Sequence, residues 1–162
     1  MSDSEVIKVL FVCTGNICRS PMAEAVFQDL VNRAGLSSRF VIDSAGTGPW
    51  HVGEKAHPGT LDILKRNGIS YKGRARQISR ADLENFDYVL AMDRSNLSAI
   101  LRLAQGTSAQ VMMFLHPANQ AGTVQADAVP DPYYSDNFDY VYNLVLRGAQ
   151  ALLAHLRAVH NL

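Results

Sequence analysis

The segment Cys13-Thr14-Gly15-Asn16-Ile17-Cys18-Arg19-Ser20 puts a thiol and a guanidinium at the two ends of a short polar loop. A loop that joins a strand to a helix N-terminus turns unpaired backbone N–H groups, and the positive end of the helix, toward its centre. Such a loop cradles an anion. The span from Cys13 to Arg19 suits one tetrahedral oxyanion, and the guanidinium can hold two of its oxygens. Cys13, at the base among N–H dipoles and beside Arg19, sits where thiols ionise at neutral pH. A thiolate beneath a phosphate can attack phosphorus in line. The resulting cysteinyl-phosphate is then hydrolysed by water, so that two easier displacements replace a hard one. Gly15 and Asn16 are residue types that accept left-handed backbone, which N–H groups converging on one point require. Ser20 can donate its hydroxyl to the sulfur and help it leave in the second step.

The elements around this loop are those that could hold it. Val6-Ile7-Lys8-Val9-Leu10-Phe11-Val12 is nearly all apolar, as expected of a parallel strand covered on both faces. Pro21 then opens a segment with apolar residues at 22, 23, 26, 27, 30 and 31, the stripe of a helix ended by Gly35. Phe40-Val41-Ile42 forms a second strand running into Asp43-Ser44-Ala45-Gly46, which completes a βαβ unit. Residues 47–58 read as a surface loop and 59–67 as a helix. Residues 87–91 make a third strand, followed by a helix with Leu97, Ile100, Leu101 and Ala104 on one face. Val111 to Leu115 makes a fourth strand. A long turn-rich stretch leads to a last helix that buries Val141, Leu144, Val145, Gly148, Ala149, Leu152, Leu153 and Leu156.

This alternation predicts a single α/β domain over residues 1–162: a four-stranded parallel sheet, flavodoxin-like, with helices on both faces. Ligands of such sheets bind beyond the carboxyl ends of the strands, where the Cys13 loop and the loops after residues 45, 91 and 115 lie. The 162 residues are 48% hydrophobic and 19% charged, which excludes collagen-like and mainly disordered classes. Fifteen basic residues balance fifteen acidic ones, so no overall field draws the chain to nucleic acid or a membrane surface. The acidic opening Met1 to Glu5, and the lack of any run near the about 18 apolar residues of a membrane helix, point to a cytoplasmic protein. The two cysteines are too few for a secreted disulfide framework. A zinc site from Cys13, Cys18, His51 and His57 is disfavoured by the long gap between the pairs and by Arg19 beside the ion.

The run from Cys13 to Glu24 resembles the signature loop and following helix of the low-molecular-weight protein tyrosine phosphatases. Asp43-Ser44-Ala45-Gly46-Thr47, Trp50-His51-Val52-Gly53, Ala91-Met92-Asp93-Arg94-Ser95-Asn96-Leu97 and Asp131-Pro132-Tyr133-Tyr134 follow in that family's order and approximate spacing. The resemblance implies the phosphotyrosine phosphatase I fold and hydrolysis of phosphotyrosine and small aryl phosphates. It makes Cys13 the nucleophile, Arg19 the phosphate clamp and Asp131 the general acid and later base, with no metal and no cofactor. Thr14, Gly15, Asn16, Ile17, Cys18 and Ser20 complete the phosphate loop. Ser44, with Asn16 and Ser20, belongs to a supporting hydrogen-bond network, while Trp50, Tyr133 and Tyr134 wall the pocket. The implied partners are tyrosine-phosphorylated proteins, with no nucleic acid or membrane, and the implied assembly is a monomer or at most a weak dimer.

Other readings attach to several of these residues. Cys18 is either a packing residue or, by the resemblance, the partner of Cys13 in a reversible disulfide. Asp127 and Asp136 are rival acids to Asp131, and Asp93 reads as a helix cap. Gly73 stands where many family members carry histidine, and a water or another side chain is expected to substitute. The protein arginine phosphatases, similar in this loop, typically carry Thr at the position of Ile17, whose larger apolar wall suits an aryl phosphate. Arsenate reductases of this fold need further cysteines, and none follows Cys18. A flavodoxin-like carrier would use Thr14-Gly15-Asn16 but leaves Cys13 and Arg19 without a role, and a silent phosphotyrosine-binding module would not need Cys13, Arg19 and Asp131 together.

Overall fold

Strand β1 (Ile7–Cys13) sends Ile7, Val9, Phe11 and Cys13 into one apolar layer and Leu10 and Val12 into another, the period of two that a strand dictates. In the computed structural model, which describes residues 5–162, β1 pairs in parallel with β2 (Phe40–Gly46) on one side and β3 (Tyr88–Ala91) on the other. Strand β4 (Gln110–Met113) adds to β3, giving one sheet in the order β2-β1-β3-β4. The strand order reverses at β1, so the loops leaving β1 and β3 diverge from one crevice, the place where such sheets bind ligands. The acidic opening read in the sequence falls mostly on residues 1–4, outside the described residues.

Helices α1 (Arg19–Arg33), α2 (Pro58–Arg66), α5 (His116–Gln120) and α7 (Phe138–His160) cover one face, and α3 (Arg80–Asn85) and α4 (Arg94–Ala104) the other. A short helix α6 (Pro132–Ser135) precedes α7. The larger core stacks Phe11 edge-on against Phe27 and Phe114, each pair with ring centroids 5.6 Å apart. Fully burying one such ring is worth about 1.5–3 kcal/mol, which anchors α1, and hence the loop before it, to the sheet. No described helix is long and apolar enough to cross a membrane.

Several boundaries differ from the sequence reading. Helix α1 begins at Arg19 rather than Pro21, because the first four N–H groups of a helix are unpaired anyway and proline is accepted there. Strand β4 ends at Met113: the Phe114 N–H still donates to the Ala91 carbonyl of β3 at 2.8 Å, and the chain then turns, with Phe114 and Leu115 buried in the core beneath α7. Leu101 is exposed, not on the buried face of α4. The buried line runs through Asn96 and Ile100, with Leu97, Leu103 and Ala104 packed at its flanks, and Leu101 lies about 100° beyond Ile100. The long stretch after β4 contains α5 and α6, both too short to leave a periodic signal.

Candidate active site

The loop from Cys13 to Cys18 is organised by the direction of its peptide groups. The carbonyls of Cys13 and Thr14 accept from the N–H groups of Thr47 and Gly48, at 2.9 and 3.1 Å. The carbonyl of Ile17 accepts from the His57 N–H at 2.8 Å, and that of Cys18 from Thr60 Oγ1 at 3.1 Å. These oxygens thus point outward into α2 and the segment between β2 and α2. Among the described residues, no protein acceptor takes the N–H of Thr14, Gly15, Asn16, Ile17 or Cys18. A ring of donors with its carbonyls turned away is a nest for an anion.

Asn16 holds the bend at φ 58°, a left-handed conformation that asparagine tolerates. Its Nδ2 donates to Ser20 Oγ at 2.8 Å and Ser44 Oγ at 3.0 Å, and its Oδ1 accepts from the Arg76 N–H at 3.0 Å. The Ser20 hydroxyl lies 3.0 Å from Cys13 Sγ, and the Ser20 N–H donates to the same sulfur at 3.4 Å. Gly15, read from the sequence as a left-handed residue, does not have positive φ. Its requirement is space: a Cβ there would stand 3.0 Å from the His51 ring.

Arg19 is buried, with 3% of its side chain exposed, and its guanidinium is fixed from several directions. Nη1 donates to Asp93 Oδ2 at 2.7 Å and to the Val129 carbonyl at 2.9 Å, and Nη2 donates to Thr14 Oγ1 at 3.3 Å. Asp131 Oδ2 lies 3.6 Å from Nη2. Burial by itself would lower the Arg19 pKa, but Cys13, Asp93 and Asp131 together outweigh it and hold the group above its ordinary value. Asp93 does cap α4, accepting from the Asn96 N–H through Oδ1 at 2.7 Å. The same carboxylate anchors Arg19 through its other oxygen, so the cap reading covers half of what it does.

Asp131 opens the far wall. Its Oδ1 accepts from the Tyr133 N–H at 3.0 Å, and its side chain is 30% exposed. The rival acids lie elsewhere: Asp127 pairs with Arg94 at 2.8 Å on the surface, and Asp136 ends α6 in a left-handed turn. Cys13, Thr14, Gly15, Ile17, Cys18, Arg19, Trp50, His51, Asp131, Tyr133 and Tyr134 line one cleft of about 270 Å³. Tyr133 and Tyr134 meet edge-on at 5.1 Å, and both are exposed, as is Trp50. The cleft is therefore polar and cationic at its floor and aromatic at its mouth, a shape for an aryl ester of an oxyanion.

The family model described as "Low molecular weight phosphotyrosine protein phosphatase" matches residues 8–161. The chain belongs to the low molecular weight phosphotyrosine protein phosphatase family. It is 45% identical over 157 residues to the low molecular weight protein-tyrosine-phosphatase YfkJ of Bacillus subtilis, covering 94% of this chain and 97% of the relative. To the low molecular weight phosphotyrosine protein phosphatase of Schizosaccharomyces pombe it is 54% identical over 140 residues, covering 84% and 88%. The crystal structure of YfkJ superposes with a TM-score of 0.91 at 43% identity, covering 97% and 98%. A Drosophila arginine phosphatase superposes at 0.86 with 32% identity, covering 93% and 98%.

Within this phosphatase frame, the space beside Gly73 is taken by the side chain of Tyr71. A Cβ on Gly73 would lie 2.2 Å from the Tyr71 hydroxyl, so the space left by the missing side chain is filled by the phenol. That hydroxyl donates to Glu24 Oε1 at 2.8 Å, and Ser44 Oγ donates to the same oxygen at 2.6 Å. Cys18 is buried beside Cys13, and both thiols are free. Burial, Asp131 and Cys13 push the Cys18 pKa up to about 12, leaving it a neutral thiol in the reduced loop.

Sequence reasoning did not assign Glu24, Tyr71, Asn96 or His51 to the site, and it gave Asp93 only a cap. Asn96, buried on α4, donates to Thr14 Oγ1 at 3.1 Å, and His51 lines the cleft. Only Asp93-Arg94-Ser95-Asn96 carried a signal that could have found two of them. A capping aspartate directly after a strand on the ligand-binding edge has its second oxygen free for a cation.

Proposed function

We propose that this protein hydrolyses phosphotyrosine in proteins through a cysteinyl-phosphate, with residues 1–162 forming one phosphatase domain. The observation that carries the reading is the inverted polarity of the loop: outward carbonyls satisfied by protein, inward N–H groups with no protein acceptor among the described residues, and Cys13 Sγ beneath them. The phosphate is held by those N–H groups and by Arg19, whose orientation Asp93 and the Val129 carbonyl fix. The Cys13 thiolate attacks phosphorus, the S–P bond forms, and the bond to the tyrosyl oxygen breaks. Asp131, protonated at this stage, gives its proton to the departing oxygen. It then takes a proton from the water that attacks phosphorus and releases the thiolate, to which Ser20 donates.

Thr14, Gly15, Asn16, Ile17 and Cys18 shape the cradle, Ser44 supports Asn16, and Trp50, Tyr133 and Tyr134 hold the substrate ring. Ile17 gives the inner wall an apolar surface, which favours an aryl phosphate over phosphoarginine. Catalysis by a reduced thiolate fits a cytoplasmic setting, where thiols stay reduced. The test is turnover of a phosphotyrosine peptide and a phosphoarginine peptide in EDTA. The expected result is metal-independent release of phosphate, faster from phosphotyrosine. Preference for phosphoarginine would overturn the substrate reading, and no turnover of either would overturn the enzyme reading.

A further inference from the structure

Resting on the phosphatase reading, the geometry points to Tyr71 as a positioning residue. Its phenol holds the Glu24 carboxylate as an acceptor, and that carboxylate sets the direction of a hydrogen-bond chain through Ser44, Asn16 and Ser20 that ends on the Cys13 sulfur. The directions follow from which atoms have protons to give. Glu24 Oε1 accepts from both Tyr71 and Ser44, at 2.8 and 2.6 Å. With its proton committed to Glu24, Ser44 Oγ can only accept from Asn16 Nδ2, at 3.0 Å. That orients the amide so that Oδ1 faces the Arg76 N–H and the second Nδ2 proton goes to Ser20 Oγ at 2.8 Å. Ser20 then accepts from Asn16 and has its own proton to give, to Cys13 Sγ 3.0 Å away in preference to the Ala45 carbonyl at 3.4 Å. The chain is buried from Asn16 to Cys13, so a reversed donor in it would leave polar atoms unpaired.

Tyr71 reaches Glu24 because residue 73 has no side chain, a Cβ there lying 2.2 Å from the phenol oxygen. Gly73 does not have positive φ, so its value lies in this space and not in backbone freedom. Glu24 is the titratable member of the chain. Burial raises its pKa, and the hydrogen bonds from Ser44 and then Tyr71 oppose the rise. The charged groups facing it are Asp43 from β2, which raises it further, and Arg76 from the segment before α3, which lowers it. Asp29, further along α1, lines a surface cavity together with Glu24 and Tyr71, separate from the active-site cleft. When Glu24 is protonated it can donate to Ser44 as well as accept, and the chain loses its direction.

The experiment measures kcat against pH with a phosphotyrosine peptide for the wild type, Tyr71→Phe, Gly73→Ala and Glu24→Gln. Tyr71→Phe removes only the donated proton. It is expected to raise the midpoint of the acid limb by about one pH unit, the loss of one charge-assisted bond. Gly73→Ala displaces the phenol without altering it and is expected to give the same shift. Glu24→Gln is expected to lower kcat several-fold at every pH and to be insensitive to a further Tyr71→Phe change. Active wild type with an unmoved acid limb in both Tyr71→Phe and Gly73→Ala would overturn this role for Tyr71 and leave the phosphatase reading standing. A wild type without turnover would overturn the phosphatase reading itself.

Discussion

The two sides of the cleft are built to different standards. The nucleophile side is interior: Cys13, Asn16 and Arg19 are each 2% exposed, and their loop is hydrogen-bonded to β2, α2, α4 and the segments flanking α3 and α6. The acid side is surface. Asp131 is tied locally by the Tyr133 N–H and reaches Arg19 only at 3.6 Å, and Tyr134 is 86% exposed. Donors that stabilise charge in a transition state must already be in place, since moving them during reaction costs energy. The acid and the aromatic wall must instead let a protein-bound side chain enter and leave, so weak local ties suit them.

That contrast predicts a graded series of losses. Cys13→Ser should lower kcat by about 10⁴-fold or more, because the covalent route closes, while binding of inorganic phosphate stays measurable by calorimetry. Arg19→Ala should lower both kcat and phosphate affinity, by about 10²–10³-fold in kcat, since it removes the clamp and leaves Asp93 without its cation. Asp131→Asn should cost about 10²-fold with phosphotyrosine and under about tenfold with an activated nitrophenyl ester, which leaves without a proton. Equal losses on the two substrates would erase the division of labour. Tyr133→Ala should raise KM by about 2- to 13-fold with little change in kcat, the worth of one aromatic contact of about 0.5–1.5 kcal/mol.

The smallest effect concerns stability. Burial raises the Glu24 pKa in the folded state, so between the ordinary carboxyl value and that raised value the folded chain binds more protons than the unfolded chain. Stability from this group therefore falls as pH rises through the window. Denaturant melts of Glu24→Gln should show that decline flattened.

The sequence made the sheet and the loop legible because each depends on a local pattern: apolar runs for strands, and Cys13 to Ser20 between a strand and a helix for the cradle. It hid what depends on three-dimensional space. Gly15 looked like a backbone choice, but its role is to admit His51. Asp93 looked complete as a cap, and nothing along the chain shows that its second oxygen meets Arg19 from β1's side of the crevice. Gly73 looked like a missing side chain, and the phenol of Tyr71, two residues earlier, takes that space on its way to Glu24. Helices α3, α5 and α6 are too short for periodicity to reveal, although the capping box at Ser79 and Asp82 marks the first of them.

The central claim is that Cys13 carries the phosphoryl group. Rapid-quench turnover of a ³²P-labelled phosphotyrosine peptide, followed by peptide mapping, tests it directly. Label on the peptide containing Cys13, forming before free phosphate appears and absent in Cys13→Ser, is the predicted result. Phosphate released at the wild-type rate by Cys13→Ser, or label on any other residue, would contradict it.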